Sequence, residues 1–226
     1  MERYATEDIK LISHLYSHLG YRVLSGDVDA VKWFYASAWQ ESPPLIRTIR
    51  ALQMCLTEKE IELDELGIFG KEFLYYWGMI NLGEVSNLII KNTGTAQICF
   101  EKTHEEFPQV QARMAFIKLL NSTEPAESED NVIMIDAIRQ WAGKHDLFSM
   151  IIIAKIVFYG FLNEDRLDGD KLPIILYQLL ELPCQKGHPV AIRFWNEILD
   201  CINPSEAMDR VSKVKIDGNV LYDLYV

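Results

Sequence analysis

Two pairs of side chains stand at spacings that chemistry uses. His14 and His18 are four residues apart, so on a helix both imidazoles share one face, as two metal ligands would. The residues between them, Leu15-Tyr16-Ser17, offer no glutamate of the kind that metalloproteases place beside such a pair, and no third ligand follows nearby. Cys184 and His188 repeat the spacing in Pro183-Cys184-Gln185-Lys186-Gly187-His188-Pro189, a segment that reads as a turn between helices. A thiol–imidazole or metal site there needs a third member, and only the fold can bring one, with Cys201 and His104 available. The run Asn163 to Asp170 approaches a calcium loop. Counted from Asn163, however, the fifth and twelfth positions are Leu167 and Ile174, which have no chelating oxygen. It reads as a polar turn.

The remaining carboxylates, such as Glu58, Glu60 and Glu62 or Glu101, Glu105 and Glu106, sit at helix spacings among other polar residues and read as solvated faces. There is no Gly-x-Gly-x-x-Gly, no phosphate loop and no Gly-x-Ser-x-Gly elbow. The sequence therefore predicts no catalytic residue, no metal and no cofactor.

Composition narrows the partner. Of 226 residues, 49% are apolar and 11% aromatic, enough for a substantial core. The net charge is −11, which disfavours nucleic acid and anionic membranes and favours a basic or mixed-charge protein partner. Arg210, Lys213 and Lys215 form the only cationic cluster visible in the sequence. The polar N-terminus, Met1 to Asp8, lacks an apolar signal segment, which predicts a cytoplasmic protein. Cys55, Cys99, Cys184 and Cys201 lie far apart among apolar neighbours and are expected as buried free thiols. The most apolar stretch, Phe148 to Leu162, carries Lys155 and is too short to span a bilayer.

The elements that must position these groups are helical. Apolar spacing of three and four places helices over 7–24, around Val31 to Tyr35, and over 45–56, 71–82, 95–106 and 109–120. Later helices are expected from a cap at Asp130 or Asn131, and over 147–162, 171–182, 189–202 and 204–213. Strand alternation is confined, weakly, to Lys213 to Tyr222, and the apolar tail 218–226 is expected to dock on the body or in a partner's groove. Residues 57–66 are strongly acidic, and 122–130 form the clearest loop. The expected organisation is helical hairpins over 1–121, an acidic loop at 122–130, and further hairpins over 131–226, packed as one continuous body.

Segments also repeat. Leu19-Gly20-Tyr21-Arg22-Val23-Leu24-Ser25-Gly26 is followed by Ala30-Val31-Lys32-Trp33-Phe34. The second unit returns as Ala96-Gln97-Ile98-Cys99-Phe100-Glu101-Lys102-Thr103, and weakly at 173–180; Gly187-His188-Pro189-Val190-Ala191 closes the pattern. A small first residue lets helices approach, and the bulky pair that follows fills the neighbouring groove. This resembles the Sel1-like branch of the tetratricopeptide superfamily. Val23 stands where that repeat has tyrosine, and the copies are 66 and 77 residues apart rather than at a short constant period. The resemblance implies an all-α fold, antiparallel helix hairpins stacked as a short, irregular α-solenoid of about nine to eleven helices.

Such arrays bind proteins along one face. Helix phase offers Tyr16, Arg22, Tyr35, Trp39, Tyr75 and Asn81 as contact residues, and the consecutive aromatics Trp33-Phe34-Tyr35 and Phe73-Leu74-Tyr75-Tyr76-Trp77 cannot all face inward. The expectation is a non-enzymatic protein-interaction module. The alternatives are an acidic immunity or antitoxin protein neutralising a basic toxin, and an enzyme with an unrecognised site.

Overall fold

The computed structural model describes residues 14–58, 69–124, 128–164 and 172–201, and every regular element among them is helical. The acidic segment beyond Glu58, the polar turn beyond Glu164, the expected helix at 204–213, the alternation near 213–222 and the tail lie outside the described residues. The chain divides into two compact units, Met1–Ile117 and Lys118–Val226.

In the first unit, α1 is helical through residues 14–24. Gly26, at φ 82°, ends it, and Asp27 starts α2, Val28–Ser37, by accepting the Ala30 amide. Arg22 donates to Asp27, and these bonds together hold the Asp27 carboxyl below its usual range, the Ala30 amide contributing most. A 3-10 turn, Ala38–Gln40, closes with Glu41 in the left-handed region. Next comes α3, Pro43–Glu58. It starts two residues before the expected 45, with Pro43 and Pro44 in its first two positions, where an amide hydrogen would have no partner and a fixed φ favours the helix. α4, Lys71–Leu82, matches the expected range. Gly83, at φ 74°, ends it with paired bonds, Gly83 N–H to the Ile80 carbonyl and Glu84 N–H to that of Met79. α5, Thr93–Glu101, is capped by Asn92, and α6, Val110–Asn121, begins in this unit and runs past its boundary at Ile117.

The core of this unit joins Val31 and Phe34 of α2, Leu45, Ile49 and Leu52 of α3, and Phe73 and Trp77 of α4. α4 packs most closely on α5 and also on α2. The first contact depends on Gly78, where an added Cβ would stand 2.7 Å from the Phe100 ring and 3.1 Å from the Cys99 Cβ. Cys99 and Phe100 are themselves fully buried, so neither can retreat into solvent.

In the second unit, α7, Glu129–Ala142, begins at Ser128 and not at Asp130 or Asn131. The Ser128 hydroxyl accepts the Asn131 amide, and Glu129 and Asp130 fill the first turn, where carboxylates suit the helix dipole. α8, Leu147–Glu164, α9, Leu172–Gln185, and α10, Pro189–Cys201, complete it. Contacts run between neighbours, α7 with α8, α8 with α9 and α9 with α10, and α10 also meets α8. Phe158 and Phe194 meet edge to face at 5.6 Å in its interior. No helix among the described residues is long and apolar enough to cross a membrane.

The Gly78 contact generates a test. Gly78→Ala gains helix propensity of about 1 kcal/mol but overpacks a site with no slack, a penalty of about 1–3 kcal/mol. Urea denaturation should show net destabilisation, whereas Gly94→Ala, where an added Cβ meets nothing closer than Asn92 Oδ1 at 3.7 Å, should not show that loss.

Candidate functional site

The most elaborate polar arrangement among the described residues surrounds the connection between α4 and α5, residues 83–92. By throwing the chain inward, Gly83 brings Glu84 into the core. There the carboxylate faces Arg113 of α6 as a two-pronged pair, Nη2 to Oε1 at 2.9 Å and Nε to Oε2 at 3.3 Å. The side chains are 5% and 2% exposed, so this is a buried ion pair. Tyr35 of α2 donates a third bond to Glu84 at 3.4 Å, and Arg113 Nη1 donates to the Gln109 carbonyl at 3.2 Å. Gln109 in turn donates to the Tyr75 hydroxyl at 2.9 Å, and the Tyr75 ring stacks on Phe107 at 4.2 Å.

Beyond Glu84 the same connection is held at nearly every second residue. Ser86 donates to the Glu41 carboxylate and accepts the Leu88 amide at 3.0 Å. Arg50 of α3 donates to the Leu88 carbonyl through both Nε and Nη2. Gln53, one turn on, donates to the Ile90 carbonyl at 2.8 Å and to Asn81 at 3.1 Å. The Asn92 amide closes the set on the Asn81 carbonyl at 2.8 Å. With the backbone drawn inward, Val85 and Ile89 are buried and the side chains between them turn out. Leu88 is 40% exposed and Ile90 55%, and Met54 of α3 is 56% exposed.

No protein-family model, curated protein or solved structure matches the chain.

The six expected contact residues fall in different environments. Tyr16 is half-buried and lies 5.9 Å from Trp33, centroid to centroid. Arg22 is exposed and paired with Asp27. Tyr35 is half-buried beneath Tyr76 and bonded to Glu84, and Trp39 is half-buried in the 3-10 turn. Tyr75 and Asn81 are buried, contrary to their expected place on a contact face. Tyr75 is claimed by Phe107 and Gln109. Asn81 is claimed by Gln53 and by the Trp77 carbonyl. Of the adjacent pair it is Tyr76 that stays half-exposed, with Lys32 5.6 Å above its ring.

Neither chemical pair becomes a centre. His14 and His18 are both exposed on α1, and no group of three or more metal-ligating side chains converges among the described residues. His188 is buried, and burial together with the nearby Lys155 pushes its imidazole down to about 4, so it is neutral at physiological pH. Burial also raises the thiols of Cys184 and, to about 12, Cys99. A raised thiol is the opposite of an activated nucleophile. His104 is exposed against the Glu101 carbonyl of its own turn. Cys99 is buried as expected, but Cys55 and Cys201 are exposed, Cys55 on the solvent side of α3.

Sequence reasoning missed Glu84, Arg113, Arg50 and Gln53. A signal existed: Glu84 is the only charged residue between Lys71-Glu72 and Lys91, and Arg113 interrupts Ala112 to Ile117. A lone charge in an apolar run marks either a wet face or a buried pair, and only the fold distinguishes them.

Glu84→Gln should destabilise the chain by about 3–5 kcal/mol by removing the carboxylate that faces the buried Arg113 guanidinium. The double variant Glu84→Gln/Arg113→Met should recover much of that loss. Chemical denaturation at neutral pH measures both, and equal loss in the two would show that the pair is not the controlling interaction.

Proposed function

We propose that this chain is a non-enzymatic protein-interaction module and that the face built from α3 and the 83–92 connection is its contact site. One observation carries the reading: Leu88 and Ile90 are exposed on a stretch of backbone whose amides and carbonyls are bonded inward from α3, α4 and Ser86 itself. Exposed aliphatic side chains on a wandering loop would be an aggregation liability. On a held backbone they are preorganised, and the ordering entropy that weakens binding has already been spent in folding. The raised thiols and the neutral, buried His188 favour this reading over an enzyme.

We also propose that the helices stack as a short, irregular α-solenoid of the Sel1-like kind. The burial of Ala30 and Ala96, the small positions of its repeat, and the predominance of contacts between successive helices from α7 to α10 support this.

The test is retention of a protein partner from native lysate by the full chain and by Leu88→Gln/Ile90→Gln. Both positions are exposed, so thermal stability should be unchanged to within about 0.5 kcal/mol. The wild-type chain should retain a stoichiometric partner and the double variant should lose it. Equal retention by both would move the contact site elsewhere, and retention of nothing by either would argue against the module.

A further inference from the structure

The contact face has a charge unlike that of the chain. Acidic residues number 33 among 226, about one in seven. Two stretches of sixteen residues, 42–57 and 85–100, contain none. The fold lays one against the other, since Arg50 and Gln53 of α3 bond the Leu88 and Ile90 carbonyls. Arg47, Arg50 and Met54 occupy one exposed stripe of α3, at intervals of three and four. Lys91 is exposed beside Ile90, and its aliphatic stem lies over Gly83, 2.8 Å from where a Cβ would be. The carboxylates that bound these stretches on the near side are engaged: Glu84 with Arg113 in the core, and Glu41 with Ser86. Three cations therefore rim three exposed aliphatic side chains, within a protein of net charge −11. This cluster was not legible in the sequence, where its members are up to 44 positions apart.

We propose that this face docks an acidic amphipathic segment of a partner protein, a conclusion that rests on the protein-binding reading above. Aliphatic side chains of the segment pack on Met54, Leu88 and Ile90, and its carboxylates meet Arg47, Arg50 and Lys91. Arg50 retains donors for this role, because a guanidinium carries five N–H groups and the Leu88 carbonyl is a single acceptor. Carboxylates distant from the face oppose such a partner only at long range. At physiological ionic strength that opposition is screened beyond about 8 Å, whereas contacts on the face are not. The face presents aliphatic side chains and no stacking rings, which disfavours single-stranded nucleic acid, and three cations fall short of the clusters of about four to eight that read as lipid-binding.

The test uses fluorescence anisotropy with the full chain at about 0.15 M salt. The probe is a labelled synthetic peptide with leucines at helical spacing and glutamate at every other position. Its counterpart carries lysine in place of glutamate. A single-stranded oligonucleotide and phosphatidylserine vesicles serve as further probes. The glutamate peptide should bind at least about tenfold more tightly than the lysine peptide, and lose about tenfold in Met54→Gln/Leu88→Gln and again in Arg47→Glu/Lys91→Glu. Circular dichroism should show all the variants folded alike. Several results would overturn the proposal. One is tighter binding of the lysine peptide, the oligonucleotide or the vesicles. A second is glutamate-peptide binding that ignores the variants. A third is a self-association that the variants abolish, which would make a second copy the occupant. Lysine-peptide binding that is lost in Met54→Gln/Leu88→Gln would discard the acidic partner and leave the protein-binding reading in place. No peptide bound and no partner retained from lysate would discard both.

Discussion

The Glu84–Arg113 ion pair is the interaction on which the rest of the first unit's polar architecture depends. It exists because Gly83 adopts a left-handed conformation at the end of α4 and turns the chain inward. A carboxylate delivered to an apolar interior must find a counter-charge, and Arg113 supplies one with two aligned bonds. Once that pair is fixed, the connection to α5 has one path across the core. Tyr35, Glu41, Arg50, Gln53 and Asn81 are then the side chains that meet its polar groups. Apolar packing of Val85 and Ile89 beneath it and polar bonds from its flanks act together, so an irregular segment gains the definition of a regular one.

A loop so held can carry the proposed contact residues in a chain without a recognisable motif. Connections are where binding residues concentrate, provided that a scaffold positions them. Here the scaffold is α3, whose inward face supplies Leu45, Ile49 and Leu52 to the core, while its flank holds the loop and its outer stripe supplies Arg47 and Met54. The same helix therefore builds the fold and frames the proposed contact face.

Helix existence was legible because apolar residues recur at spacings of three and four, and α4 and the start of α8 fell where the periodicity placed them. Caps were less legible. Ser128, Asp130 and Asn131 are all competent, and the dipole preference for carboxylates in the first turn decides among them. The close approach at Gly78 was hidden, since a glycine inside a helix gives no sign of which partner requires it. The proposed contact face was hidden more deeply. Helix phase alone put Tyr75 and Asn81 on a surface, but a neighbouring element can cover any face, and Phe107, Gln109 and Gln53 do so. Long-range polar pairing such as Glu84 with Arg113, 29 residues apart, has no periodic signature at all.

The central claim, that buried polar bonds hold 83–92 as firmly as the helices beside it, is tested most directly by native-state amide hydrogen exchange. The Glu84, Leu88, Ile89 and Asn92 amides each have an acceptor, in Met79, the Ser86 hydroxyl, the Ser86 carbonyl and Asn81 respectively. They should exchange on the slow timescale of the α4 amides. Exchange of those four amides at the rate of an unprotected loop, with α4 still protected, would contradict the account.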